Sequence, residues 1–448
     1  MLRHELVPML RLAGPVVLAE IGWVAMGIVD TLMVGRIGPA AIGAVGIGSS
    51  LFLAIAIFGM GLLLGLDTLV SHAYGAGRLD ECRRWLRDGL MLGALAAAPL
   101  GVLEWACVTL LPRWGISGDV LALTVPYLSI VAWSLPPLLA YAAFRRYLQA
   151  VNLVKPVMFA LVSANLVNAG VNWILIFGHL GAPALGVRGA AWATLLSRVY
   201  MAALLGLVAW RHQREHRGPQ PERAAWRPDR KRLARLVELG LPAAAQVTLE
   251  VGVFATVSAL AGRLNAASLA AHQVVLHMAS FTFMVPLGLA SAGAVRVGHA
   301  VGRRDMHAAQ RSGWMALALG VGFMSCASLV FLGLPGPLLR AFTADTGVIV
   351  TGTGLLAIAA AFQPFDGLQG VATGTLRGLG DTRTPMLANV VAHWLIGLPA
   401  GYLLCFVAGW GISGLWVGFA LGLISVGATL AAKWHHDSRA AIVRADGS

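Results

Sequence analysis

Residues 71–78 read SHAYGAGR, and residues 298–305, 227 positions later, read GHAVGRRD. Each stretch closes an apolar run and opens a basic connection. The same offset pairs Leu12 with Leu239, Pro15 with Pro242, Arg36 with Arg263, Ala44 with Ala271 and Gly61 with Gly288. It also pairs His72 with His299 and Gly75 with Gly302. A weaker echo, two residues out of register, matches LGVRGAAW (185–192) with WGISGLWV (410–417). Chance supplies one or two such matches but not a register held along the chain. The sequence reads as a tandem repeat.

Around these landmarks lie apolar runs of about 20 residues, the length that crosses a bilayer as a helix. They fall near 12–33, 45–70, 89–111, 121–144, 157–178, 189–210, 237–260, 270–295, 313–334, 347–372, 386–408 and 413–432. Composition agrees: 58% of the 448 residues are hydrophobic and only 12% charged, against about 45–50% and about 25% in soluble domains. The expected fold class is therefore an all-α polytopic membrane protein with twelve transmembrane helices. Six fall in an N-terminal lobe, 1–210, and six in a C-terminal lobe, 236–448, joined by a basic linker at 211–235. An even number per repeat makes both halves enter the membrane in the same sense, so a pseudo-symmetry axis along the membrane normal is expected.

The formal charge of +13 would prompt a nucleic-acid hypothesis in a soluble chain. Here the basic residues sit between apolar runs and read as topology signals, so no nucleic-acid partner is expected. One set of connections holds Arg78, Arg83, Arg84, Arg87, Arg145, Arg146, Lys155, Arg303, Arg304, Arg311, Arg377, Arg383 and nine basic residues in 211–235. The opposite set has little beyond Arg36, Arg113, Arg188, Arg263 and Arg340. Positive charge marks the cytoplasmic side, so both termini and the linker are expected there. The start, MLRHELVPMLRLAGP, leads into a full-length run without a small-residue cleavage site and reads as a first helix. No Gly-Lys dipeptide exists, which removes a Walker A loop. Cys82, Cys107, Cys326 and Cys405 are scattered, with no metal or disulfide spacing. No HExxH motif or candidate triad stands out, so an enzyme is not expected.

A membrane helix keeps ionisable residues at a cost of several kcal/mol, so they mark function. The interior set is Glu20, Asp30, Asp67, Glu104, Arg198, Glu250 and Asp366. Asp30, Glu250 and Asp366 lie in the first, seventh and tenth runs among polar and aromatic neighbours and are the leading cavity acids. Glu20 and Glu104 fit either a cavity or an aqueous boundary, and Asp67 sits near a cytoplasmic end as a structural group. Arg198 would balance a buried carboxylate that the sequence does not name. Asn165, Asn168 and Asn172 form a polar stripe on the fifth run, and three amides need many partners. Trp23, Phe254, Phe281, Phe283 and Phe362 offer faces either to a flat cation or to lipid and core. His72, His299 and His272 read as capping and packing residues. Glycine ladders at Gly370, Gly374, Gly378 and at Gly414, Gly418, Gly422 leave bare helix faces for close packing.

These residues resemble the multidrug and toxic compound extrusion (MATE) transporters, and most closely their NorM-like branch. The resemblance covers nearly the whole chain and rests on VDTLMVG (29–35), AAHQV (270–274), RVGHAVGRRD (296–305) and GTLRGLGDTRTP (374–385). It implies the MATE fold of two six-helix lobes and export of organic cations and amphipathic drugs in exchange for protons or sodium ions. The family carboxylates fall on Asp30, Glu250 and Asp366, and the fifth-helix amides near Asn168 and Asn172. Glu20 departs from an expected glutamine and joins the candidate cation- and substrate-binding set.

An acid in a half-dry cleft holds a proton, a metal ion or a drug cation, but not all at once, and an antiporter needs that exclusion. Glu250 and Asp366 would couple ion and substrate, with sodium as one candidate there, and Asp30 would be the switch of the other lobe. No cofactor is expected beyond the coupling ion. The expected partners are cationic or amphipathic small molecules and membrane lipid, with a monomer in a bacterial cell membrane. The alternatives are a flippase for a lipid-linked precursor and a membrane-surface enzyme. The flippase would show a basic cavity lining, and the enzyme a polar loop constellation.

Overall fold

The structure is a computed structural model and describes residues 2–216 and 229–446; residues 217–228 of the expected linker lie outside the described residues. The chain opens with α1 (Leu2–Gly35), α2 (Pro39–Leu62), α3 (Gly65–Gly75) and α4 (Leu79–Leu110). Next come α5 (Gly118–Ala132), α6 (Leu135–Ala150), α7 (Val154–Phe177) and α8 (Val187–Glu215). The second half holds α9 (Arg230–Ala261), α10 (Ala266–Gly302), α11 (Met306–Gly333), α12 (Pro335–Arg340) and α13 (Thr346–Leu379). Last come α14 (Arg383–Asn389), α15 (Leu398–Tyr402) and α16 (Ile412–Asp446). Among the described residues eleven helical stretches are long and apolar enough to cross a membrane, and twelve when the bent pair α5 and α6 counts as one span. Each matches one expected run.

The differences have local causes. Most helices outrun their apolar runs, because the backbone ladder continues into polar sequence where hydropathy stops marking it. The fourth span bends by 48° between α5 and α6. Pro136 and Pro137 follow the break at the start of α6, where a missing N–H is tolerated but cannot continue the helix before it. The eleventh span carries π-helical turns at Val390–Gly397 and Leu403–Val407, on either side of α15. There Gly401 faces Gly418, whose added Cβ would lie 2.3 Å from the Gly401 backbone, and Gly414 would meet Cys405 at 2.6 Å. The other glycine ladder packs on α10, with Gly374 and Gly378 against Ala290 and Ala294.

Two compact units emerge: Leu18–Ala244, and Met1–Val17 together with Ala245–Ser448. This division does not follow a cut at the linker. The opening half of α1 belongs with the C-terminal unit, and the opening of α9 with the N-terminal one. The two hand-over points, after Val17 and after Ala244, are themselves 227 positions apart. In each helix a proline, Pro15 or Pro242, lies just before the hand-over, where it weakens the ladder. The packing repeats too. A Cβ on Gly61 would fall 2.6 Å from Ala244 Cα, and one on its equivalent Gly288 would fall 2.4 Å from Val17 Cγ2.

Candidate functional site: two buried polar clusters

In the N-terminal unit, Asp30 projects from α1 into a buried group supplied by α7 and α8. Asn172 Nδ2 donates to Asp30 Oδ1 at 2.6 Å and to Asn168 Oδ1 at 3.1 Å, which uses both its hydrogens. Thr194 Oγ1 donates to Asp30 Oδ2 at 3.3 Å. Asn168 and Asn172 lie one helical turn apart, so both amides reach the same carboxylate region. Among the described residues Asn172 Oδ1 has no hydrogen-bond partner although the residue is fully buried. The third amide of the stripe, Asn165, serves the backbone instead, donating to Gly22 O and Leu161 O.

In the C-terminal unit, Glu250 of α9 and Asp366 of α13 meet at one amide. Gln369 Nε2 donates to Glu250 Oε1 at 3.2 Å and to Asp366 Oδ1 at 3.4 Å. Asn389, the last residue of α14, donates to Glu250 Oε2 at 3.5 Å, and the π-helical turn begins at the next residue. Among the described residues Gln369 Oε1 and Asn389 Oδ1 have no partner. Two carboxylates therefore share three long donor contacts. Such a pair suits a proton, a hard monovalent cation or an organic ammonium. Pro364 precedes Asp366 inside α13 and cannot donate to Ala360 O, a role that Ser328 Oγ fills at 2.6 Å.

Glu20 does not join either cluster. It forms a buried ion pair with Arg145 of α6, ten residues before Asp30 and so about 15 Å away along the helix. Arg145 itself, expected in a cytoplasmic connection, is buried in the second half of α6. An acid and a base that are both withdrawn from water hold each other. Asp67 pairs with Arg146 at 3.4 Å, in keeping with a structural role. His272 likewise packs, hydrogen-bonded to Ser258 and Trp416. Phe362 is buried against Trp416 and Phe419, Trp23 stacks on Tyr141, and Phe281 is exposed.

Of the six residues that sequence reasoning placed in one candidate set, the structure groups Asp30 with Asn168 and Asn172, and Glu250 with Asp366. It missed Thr194, Gln369 and Asn389. Their signal was present: each is a neutral polar residue in an apolar span, and Gln369 stands at i+3 from Asp366 on the same helix face.

The MatE family profile matches residues 15–174 and 242–403, one segment in each repeat. A probable multidrug resistance protein NorM of Mesorhizobium japonicum is 36% identical over 446 residues, covering 98% of this chain and 95% of that protein. One from Rhodopseudomonas palustris is 36% identical over 449 residues, covering 99% and 94%. Among solved structures, the eukaryotic MATE transporter AtDTX14 matches with a TM-score of 0.87 at 21% identity, covering 99% of both chains. A MATE protein in a bent conformation matches at 0.89 and 17% identity, covering 98% and 96%. Likeness at that identity carries the fold. Taken with the profile and the full-length relatives, it makes the chain a multi-pass membrane protein that belongs to the MatE family.

Proposed function

We propose that this chain is a secondary active multidrug exporter. It exchanges organic cations and amphipathic drugs for protons or sodium ions by alternating access. The observation that carries the reading is the Gln369 amide, whose two hydrogens are divided between Glu250 and Asp366. Two carboxylates with so few donors in an apolar span need positive charge. A proton, a sodium ion or a drug cation each supplies it and excludes the others. The relatives named as multidrug resistance proteins support the substrate class. In the N-terminal unit, Asp30 with Asn168 and Asn172 is the second cation-responsive set. The protein acts as a monomer in a bacterial cell membrane, with both termini on the cytoplasmic side, as the arginine-rich connections suggest.

Purified protein in liposomes, given an imposed proton or sodium gradient, is expected to move a fluorescent cationic dye against its own gradient. Dye movement indifferent to either gradient would overturn the reading and favour a lipid-linked precursor flippase. That alternative calls for a basic lining, whereas both clusters described above present carboxylates and amide oxygens.

A further inference from the structure

The openings of α1 and α9 are seated alike. Gly61 receives Ala244 of α9, Gly288 receives Val17 of α1, and both the glycines and their guests are 227 positions apart. Shape therefore does little to tell the two leading segments from each other. Charge does more. Glu5 of α1 and Arg232 of α9 are also 227 positions apart, and their signs are opposite.

In the unit that receives the opening of α1, Glu5 meets a basic socket. Arg296 of α10 pairs with Glu5 Oε2, which also accepts from Ser312 Oγ of α11 at 3.1 Å. Arg311 Nε lies 3.8 Å from the other carboxylate oxygen. In the unit that receives the opening of α9, the socket is acidic. Arg232 Nε donates to Oδ2 of the buried Asp88 of α4 at 2.8 Å. Neither socket copies the other, since the repeat equivalents of Arg296 and Asp88 are Leu69 and Met315.

A half that paired with the same half of a second copy would reuse these seats, with leading segments exchanged between chains. Two N-terminal halves would set Glu5 against Asp88, twice over. Two C-terminal halves would set Arg232 against Arg296 and Arg311, again twice. Like charges that face each other away from water are costly. Pairing of unlike halves is the arrangement that satisfies both sockets.

We propose that the two sockets are charge-coded interaction surfaces. Their partner is the leading segment of the unlike half, and the code rejects the same half of a second copy of this chain. It acts on assembly and stands apart from the antiport reading.

The test inverts one ion pair in the full-length protein. Arg232→Glu alone puts an acid against Asp88 and should lower the melting temperature. Adding Asp88→Arg restores opposite charges there and should recover most of that loss. Both sockets are then paired, but both leading segments are acidic and both sockets basic, so the code is gone. Two differently tagged copies are produced together, extracted in mild detergent and purified through one tag. The wild type should bring down almost none of its second copy. The double variant should bring down at least about tenfold more, because no like charges oppose the exchange. An ion pair that served only stability would give no such rise. The mirror variant, Glu5→Arg with Arg296→Glu and Arg311→Gln, makes both segments basic and both sockets acidic and should behave the same way. Either variant folded and no more self-associated than the wild type overturns the proposal, as does loss of the fold in both.

Discussion

The two units treat their buried acids differently. In the N-terminal unit Glu20, Asp67 and Asp88 each have an arginine, Asp30 has an amide and a hydroxyl shared with neighbouring acceptors, and Glu104 has no hydrogen-bond donor among the described residues. In the C-terminal unit Glu250 and Asp366 share a single amide, with only Asn389 besides. The repeat does not account for this, since the positions equivalent to Asp30, Glu250 and Asp366 are Val257, Trp23 and Leu139. Duplication built the scaffold twice, but the chemistry was placed independently on each copy. Glu250 and Asp366, two carboxylates with amide donors and no arginine, are the pair that an exchangeable cation would complete.

Substitutions that separate partnered from under-partnered acids put this contrast at risk. Glu20→Gln leaves Arg145 charged and buried, so it should destabilise the fold by about 3–5 kcal/mol. A lowered melting temperature in detergent would show it, and an unchanged one would break the contrast. Glu250→Gln and Asp366→Asn remove charge without orphaning a cation. They should leave melting nearly unchanged while cutting dye exchange about ten- to a hundredfold, the size of a lost charge-assisted hydrogen bond. Gly61→Ala meets the Ala244 backbone, whereas Gly288→Ala first meets a side-chain methyl of Val17. Overpacking costs about 1–3 kcal/mol, and the Gly61 variant should sit nearer the upper figure in thermal melts. The smallest effect is expected for Arg235→Ala, whose exposed pairing with Glu238 is worth about 0–1 kcal/mol.

Hydropathy and the 227-residue register made the twelve spans legible, because both are properties of the sequence itself. The bend between α5 and α6 was also written there, in Pro136 and Pro137. The π-helical turns of the eleventh span were not. They accompany a seam where Gly401 and Cys405 meet Gly418 and Gly414, and such contacts appear only once two distant segments pack. Within the site, charge drew attention to Asp30, Glu250 and Asp366. The neutral donors that define their surroundings carry no such mark, so Thr194, Gln369 and Asn389 emerged only from geometry. Arginine is ambiguous in one dimension: one that answers a buried acid, as Arg145 does, looks like one that marks a cytoplasmic loop.

The hand-over points after Val17 and Ala244 have a consequence for how such a chain assembles. Each half contributes the opening of its first helix to the compact unit of the other half. Severed within 217–228, neither fragment holds a whole unit, so each should be unstable alone and the two should recover their fold when produced together. An ancestor with a single repeat would have met the same requirement as a pair of chains exchanging their leading segments, which is domain swapping.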